Sequence, residues 1–128
     1  MKFNKIHHVA VICSNYEKSK EFYVNVLGLT IIREIYRKDR ESYKLDLSVG
    51  QNCQIELFSF PKSCERPSYP EARGLRHIAF EVDNIDEAIK ELANKNVITE
   101  KIRIDEFTAK KFTFFSDPDD LPIELYEK

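Results

Sequence analysis

His8-Val9-Ala10-Val11 returns as His77-Ile78-Ala79-Phe80, and the offset of 69 residues that aligns them also lays Ser14-Asn15-Tyr16-Glu17 on Asp83-Asn84-Ile85-Asp86. With a slip of one residue, Gln54-Ile55-Glu56-Leu57-Phe58 falls on Pro122-Ile123-Glu124-Leu125-Tyr126, so each copy carries one histidine and one glutamate at the same place. Glu56 follows His8 by 48 residues and Glu124 follows His77 by 47. A repeat keeps packing residues for trivial reasons. Duplicated histidine and glutamate instead point to two half-sites that assemble into one metal site.

Each copy reads as βαβββ. Short runs rich in Val, Ile and Phe make strands of Ile6 to Cys13 and Leu75 to Val82. Ser14, with Glu17 three residues on, predicts a capped helix whose Phe22 and Val26 recur at helical spacing before Gly28 stops it. In the second copy Asp83 is the expected cap, Ile85, Ala88, Ile89 and Leu92 form the apolar stripe, and Asn94 or Asn96 takes the left-handed closing position. Three further strands follow each helix: Thr30 to Arg37, Tyr43 to Ser48 and Gln54 to Phe60, then Thr99 to Ile104, Lys111 to Phe115 and Ile123 to Tyr126. The expected organisation is one domain over residues 1–128, with a first module at 5–60, a second at 74–127, and a connector at 61–73 whose three prolines exclude a central strand or helix.

Strand alternation sorts the side chains by face. Val9 and Val11 point one way and Ile6, His8, Ala10 and Ile12 the other, while Ile55 and Leu57 oppose Glu56 as Ile123 and Leu125 oppose Glu124. All four polar residues therefore lie away from the helices, and His7 lies on the helix side, where a structural role is expected. If the sheets curl, the polar face becomes the inside of a trough, where a divalent cation would compensate two carboxylates. Taken singly, each histidine or glutamate is more simply read as a satisfied or solvated side chain; the fourfold match under the repeat favours the metal.

Composition narrows the partners. A net charge of -2 gives no electrostatic case for nucleic acid or an anionic membrane, and 42% hydrophobic with 33% charged residues is a globular balance. Cys13, Cys53 and Cys64 are odd in number and without CxxC spacing, which excludes a disulfide framework or zinc finger and fits a reducing cytoplasm. The start of the chain lacks the apolar core of a signal peptide, and no long apolar run occurs, so a cytoplasmic protein is expected. Arg33, Arg37, Lys38 and Arg40, with Arg66, Arg73 and Arg76, read mainly as solvated surface, one of them being a candidate clamp for an anionic substrate. Phe58, Phe60 and Tyr126 read as pocket walls or as aromatic filler.

Over nearly its whole length the chain resembles the vicinal oxygen chelate superfamily (glyoxalase, bleomycin resistance and dioxygenase proteins). The features that carry the likeness are His8-Val-Ala-Val, Ser19-Lys-Glu-Phe-Tyr-Val-Asn-Val-Leu-Gly28, Gln54-Ile-Glu-Leu57, Leu75-Arg-His-Ile-Ala-Phe80 and Asp117-Pro-Asp-Asp-Leu-Pro-Ile-Glu-Leu-Tyr126. The His, Glu, His, Glu order is similar to glyoxalase I, the lactoylglutathione lyase. Glu56-Leu-Phe-Ser-Phe-Pro61, Glu65-Arg-Pro-Ser68, Pro70-Glu71 and Gly74-Leu-Arg-His77 are closer to the bacterial YaeR-like branch. The resemblance implies an α+β fold of two tandem βαβββ modules, with mixed sheets curling into an open barrel-like trough. It further implies one divalent metal held by His8, Glu56, His77 and Glu124, with zinc or nickel expected and cobalt or manganese compatible with the same donors. Glu124 matches the base that moves a proton between adjacent carbons through a metal-bound enediolate, and Glu56 flanks the other side.

The departures bear on substrate. Where bacterial glyoxalase I has an arginine four residues after the first metal histidine, this chain has Ile12, and Phe60 replaces an asparagine four residues after the first metal glutamate. Losing both leaves a glutathione carboxylate poorly paired, so the expectation is a small molecule with vicinal oxygens and not glutathione by default. Asp120 stands where the family's turn has glycine. Two other classes stay open: a ferrous extradiol dioxygenase, for which Glu56 would be surplus, and a metal-free small-molecule or antibiotic binding module. An acyl-CoA epimerase is mechanistically close, but its second ligand resembles glutamine. A homodimer is expected, since open curved sheets have edges to protect.

Overall fold

The computed structural model describes all 128 residues, Met1–Lys128. They form two compact units, Met1–Cys64 and Glu65–Lys128. In the first, strand β1 (His8–Cys13) leads to helix α1 (Tyr16–Glu21), which continues as a π-helical segment over Phe22–Val26, and then come β2 (Thr30–Arg37), β3 (Ser42–Val49) and β4 (Cys53–Ser59). The second repeats the plan with β5 (Ile78–Val82), α2 (Ile85–Asn94), β6 (Arg103–Ile104), β7 (Lys111–Ser116) and β8 (Pro122–Glu127). Each unit holds one open, four-stranded mixed sheet, ordered β1-β4-β3-β2 and β5-β8-β7-β6. The helix supplies the crossover that lets β1 lie parallel to β4, and β5 to β8, while the remaining pairs are antiparallel. The α+β class with two βαβββ units is thus the architecture observed.

The helix-side face of each sheet is the core. Val11, Leu45, Leu47, Ile55 and Leu57 are buried in the first unit with Phe22 and Tyr23; Thr113, Phe115, Ile123 and Leu125 are buried in the second with Ile85 and Leu92. Each such aliphatic side chain contributes about 1.5–3 kcal/mol of burial. The alternation predicted for Glu56 and Glu124 holds, since their flanking Ile and Leu residues lie on this covered face.

Four local expectations need correction. The α1 cap is Asn15, not Ser14: Asn15 is extended (φ −128°, ψ 108°) and its Oδ1 accepts from Lys18 N at 3.0 Å. Asn84, not Asp83, caps α2 by accepting from Glu87 N at 3.1 Å. In both copies the strand ends where expected, at Cys13 and Val82, but the helix starts at Tyr16 and Ile85, one residue later than a Ser14 or Asp83 cap would set it, so the extended residue whose side chain can reach a free N–H in the first turn is the asparagine. The strand expected over Thr99–Ile104 survives only as Arg103–Ile104, because the earlier part touches β7 through single bonds (Glu100 N to Phe114 O, 2.8 Å; Thr113 Oγ1 to Glu100 O, 2.9 Å) and not a ladder. His7 is exposed and not covered by the helix. The turn positions are as read: Gly28, Asn96 and Asp120 all adopt positive φ (73°, 61° and 62°). No helix is long and apolar enough to cross a membrane, and all three cysteines are free thiols.

Candidate metal centre

One register places both histidine–glutamate pairs. Ala10 is the partner of Glu56 across β1 and β4, and Ala79 is the partner of Glu124 across β5 and β8. Each histidine lies two residues before that alanine, on the same face and diagonal to the glutamate, within reach of its long side chain. His8 Nε2 stands 3.6 Å from Glu56 Oε2, and His77 Nε2 stands 3.0 Å from Glu124 Oε2. The carboxylates are mostly covered, with side-chain exposures of 15% and 13%, and the imidazoles are more open at 42% and 35%.

These spacings suit a shared cation. Two donors each about 2.1 Å from a metal and at right angles to one another are about 3.0 Å apart; the second pair has that separation and the first is a little wider. Imidazole nitrogen with carboxylate oxygen is also a donor set for a borderline divalent ion, without the thiolates that would select a softer one. The four residues expected to share one ion stand as two pairs, and no group of three or more His, Cys, Asp or Glu side chains forms a ligating cluster.

The surroundings of the two pairs differ. Glu56 is tied on its far side: Lys44 Nζ donates to Glu56 Oε1 at 2.9 Å and to Asp46 Oδ1 at 2.6 Å, and Arg33 donates to Asp46 Oδ2 through Nε at 3.1 Å and Nη2 at 2.9 Å. Asp46 is buried and lies directly across β3–β4 from Glu56. Burial alone would raise the Asp46 pKa, but the bonds from Lys44 and Arg33 outweigh it and hold the carboxyl below its ordinary value. Burial likewise works against the charge on Lys44, and the bonds to Asp46 and Glu56 win, leaving the ammonium above its usual range. A bulge in β2 completes the arrangement. The register passes from Ile31 opposite Leu47 to Arg33 opposite Asp46, so Ile32 is the extra residue that turns Arg33 onto the open face.

Around Glu124 the corresponding positions are aromatic. Phe114 faces Glu124 as Asp46 faces Glu56, and Phe112 faces Tyr126 as Lys44 faces Phe58. The His77 ring meets Phe114 edge-on at 5.2 Å, and the Arg103 guanidinium lies over Phe112 and Phe114 at 4.9 and 5.2 Å. The first unit has a similar stack, Arg37 over Phe58 and Phe60 at 4.8 and 5.6 Å. A groove of about 490 Å³ in the second unit reaches Phe114 but includes neither His77 nor Glu124.

Of the basic residues read from sequence as mainly solvated surface, Arg33, Lys38, Arg40 and Arg73 are exposed, and several of the set are also tied to the fold. Arg33 pairs with Asp46, Arg37 stacks on phenylalanines and donates to Ser42, and Arg66 donates to Ser68 Oγ and the carbonyls of Leu75 and Arg76, steadying the approach to His77. Sequence reasoning missed Lys44, Asp46 and His7. The signal for the first two was present, since Lys44-Leu45-Asp46 alternates polar and apolar just before a tight hairpin, which puts Asp46 opposite Glu56. His7 Nδ1 lies 3.0 Å from His8 Nδ1. When His8 Nδ1–H donates to His7, the lone pair is left on His8 Nε2, the atom that faces Glu56.

Known proteins resemble the chain over its whole length. Residues 5–125 match the family described as Glyoxalase/Bleomycin resistance protein/Dioxygenase superfamily. The chain is 58% identical over 128 residues to the uncharacterized protein YwkD of Bacillus subtilis (strain 168), covering 100% of both chains. It is 54% identical over 124 residues to the uncharacterized protein YaeR of Escherichia coli (strain K12), covering 97% of this chain and 96% of the other. The crystal structure of a glyoxalase family protein from Enterococcus faecalis superposes with a TM-score of 0.91 at 50% identity, covering 99% of this chain and 100% of that one. More distant are lactoylglutathione lyase of Neisseria meningitidis, 29% identical over 97% of this chain and 91% of the other, and human mitochondrial methylmalonyl-CoA epimerase, 28% identical over 78% of this chain and 60% of the other.

Proposed function

Since the chain belongs to the glyoxalase/bleomycin resistance/dioxygenase superfamily, on the YaeR-like branch, we propose that it is a metal-dependent enzyme of glyoxalase I type, isomerising a small substrate with vicinal oxygens by moving a proton between adjacent carbons. The observation that carries this reading is the pair of His Nε2–Glu Oε2 contacts, 3.6 and 3.0 Å, built by one register in both units. In it, His8, Glu56, His77 and Glu124 together hold one divalent ion, zinc or nickel, with cobalt or manganese as substitutes, whether the two half-sites come from one chain or from the two chains of a homodimer. When bound, the ion would supply Lewis acidity to neighbouring oxygens of the substrate.

The protein's own part follows from its side chains. Glu124, paired with no lysine or arginine, is the base that takes a proton from the carbon beside a carbonyl and returns it to the next carbon. Glu56, held by Lys44, stays in place. Ile12, half exposed, and the stacked rings of Phe58 and Phe60 beside Arg37 offer an apolar wall with one cation, suited to a small, partly apolar anion better than to the polar arms of glutathione. The distant likeness to both a lyase and an epimerase supports the shared step, proton removal next to a carbonyl.

The test begins with elemental analysis of purified protein, followed by methylglyoxal isomerisation assays with glutathione and with other thiols after loading each metal. One divalent ion per site and turnover that Glu124→Gln lowers by at least about 100-fold, with metal retained, are the expected results. A protein that takes up no divalent ion, or a Glu124→Gln variant with full turnover, would refute the proposal. Oxygen uptake with catechols after anaerobic iron loading would point instead to dioxygenase chemistry.

A further inference from the structure

The two half-sites share a histidine, a glutamate and a register, yet only one contains a lysine. Lys44 Nζ sits 2.9 Å from Glu56 Oε1, while the other oxygen of the same carboxylate, Oε2, faces His8 Nε2. Its position is not incidental. Lys44 is largely covered, at 19% side-chain exposure, lies 5.8 Å from the Phe58 ring centre, and is anchored by Asp46, which Arg33 anchors in turn through the β2 bulge. At the equivalent positions of the second unit stand Phe112 and Phe114, and Glu124 has no such partner.

We infer that Lys44 is a resident positioning cation for the metal site: it reserves Glu56 Oε1, leaves Oε2 alone for the ion, and lowers the site's affinity for a divalent cation by its own charge. Two physical effects act in the same direction. An ammonium in contact with a ligand carboxylate repels an incoming cation through a partly desolvated medium, where charges interact several-fold more strongly than in water. A carboxylate with one oxygen committed to a hydrogen bond also has only one oxygen left to ligate, so it is fixed in direction and cannot chelate with both. The consequence is a division of labour between the two glutamates, one fastened by the Arg33–Asp46–Lys44 chain and one among aromatic rings, which sequence similarity between the repeats conceals.

This inference rests on Glu56 being a ligand, and the experiment separates the two. Cobalt(II) binding is measured by titration calorimetry and by the visible absorption of the bound ion, in the wild type, Lys44→Met, Lys44→Arg and Glu56→Gln. Lys44→Met keeps an unbranched apolar stem beside Phe58 and removes the charge; it is expected to bind cobalt at least about tenfold tighter, as loss of one nearby like charge implies, with an altered absorption band. Lys44→Arg keeps the charge and is expected to stay within about threefold of the wild type. Lys44→Gln serves the same purpose if methionine is not accommodated. A purely structural lysine would give no gain in affinity, so unchanged or weaker binding in both neutral variants overturns the positioning role. Wild-type affinity in Glu56→Gln would overturn the ligand reading itself, and the inference with it.

Discussion

Replacing Asp46 by asparagine keeps the side chain's shape and removes its charge, and the structure gives the size of the effect. Asp46 accepts from Lys44 at 2.6 Å and from Arg33 at 3.1 and 2.9 Å, at a side-chain exposure of 5%. Hydrogen bonds to charged groups contribute about 1.5–3 kcal/mol each. The Arg33 side is discounted, since that side chain is 61% exposed and such pairs contribute about 0.2–1 kcal/mol. In Asp46→Asn one oxygen can still accept, but the amide NH2 then faces a second donor. A loss of about 2–3 kcal/mol follows, which for a chain of this size lowers the unfolding midpoint by roughly 6–12 °C. The pH dependence is a sharper test. Asp46 has its carboxyl held below the ordinary value in the folded state, so its contribution is complete above the unfolded pKa of about 3.9 and is lost as pH falls through the lower folded value. Urea denaturation of both proteins at pH 7 and at successive steps below pH 4 checks this. The gap between wild type and Asp46→Asn is expected to be full at pH 7 and to close in the acid range. A difference below about 0.5 kcal/mol at pH 7, or one that persists undiminished once the wild-type carboxyl is protonated, would refute the reasoning.

Tyr16 provides the alkaline counterpart. Burial and the hydrogen bond it donates to Glu34, with the charges of Glu34 and Glu17, push its phenol well above the usual value, so its contribution is complete below about pH 10 and is lost as pH rises beyond that. Tyr16→Phe is expected to be about 1 kcal/mol less stable at pH 8 and to show a shallower loss of stability above pH 10 in thermal melts. Leu57→Ala, at a fully buried position of β4, should lower stability by about 2–5 kcal/mol by urea denaturation. Asn84→Ala should cost about 1 kcal/mol, and Asp83→Ala, on a side chain that is 93% exposed, should be close to neutral; the reverse order in calorimetry would restore Asp83 as the cap.

The contrast between Asn84 and Asp83 shows where reading a sequence stops. Period and alternation are local properties of the chain, so the duplicated strand–helix plan, the apolar stripe of Ile85, Ala88, Ile89 and Leu92, and the faces of Glu56 and Glu124 were all legible. A cap depends on where the first helical turn sets in, at Tyr16 and at Ile85, and period and alternation do not fix that point to one residue. The shortened β6 depends on pairing: residues 97–102 are rich in β-branched side chains, but only Arg103 and Ile104 meet a ladder partner on β7.

The candidate site divides along the same line. Repetition of a histidine and a glutamate named the four metal-ligand candidates without any coordinates, because duplication keeps equivalent residues at equivalent offsets. What lies behind each glutamate was decided by the sheet. Lys44 and Asp46 reach Glu56 only through hairpin register, Arg33 reaches Asp46 only because Ile32 bulges, and the same register sets phenylalanines beside Glu124. Cross-strand neighbours come together by hydrogen-bond pairing, so the alternation of Lys44-Leu45-Asp46 told which face these residues take, and the register decided that the lysine fastens Glu56.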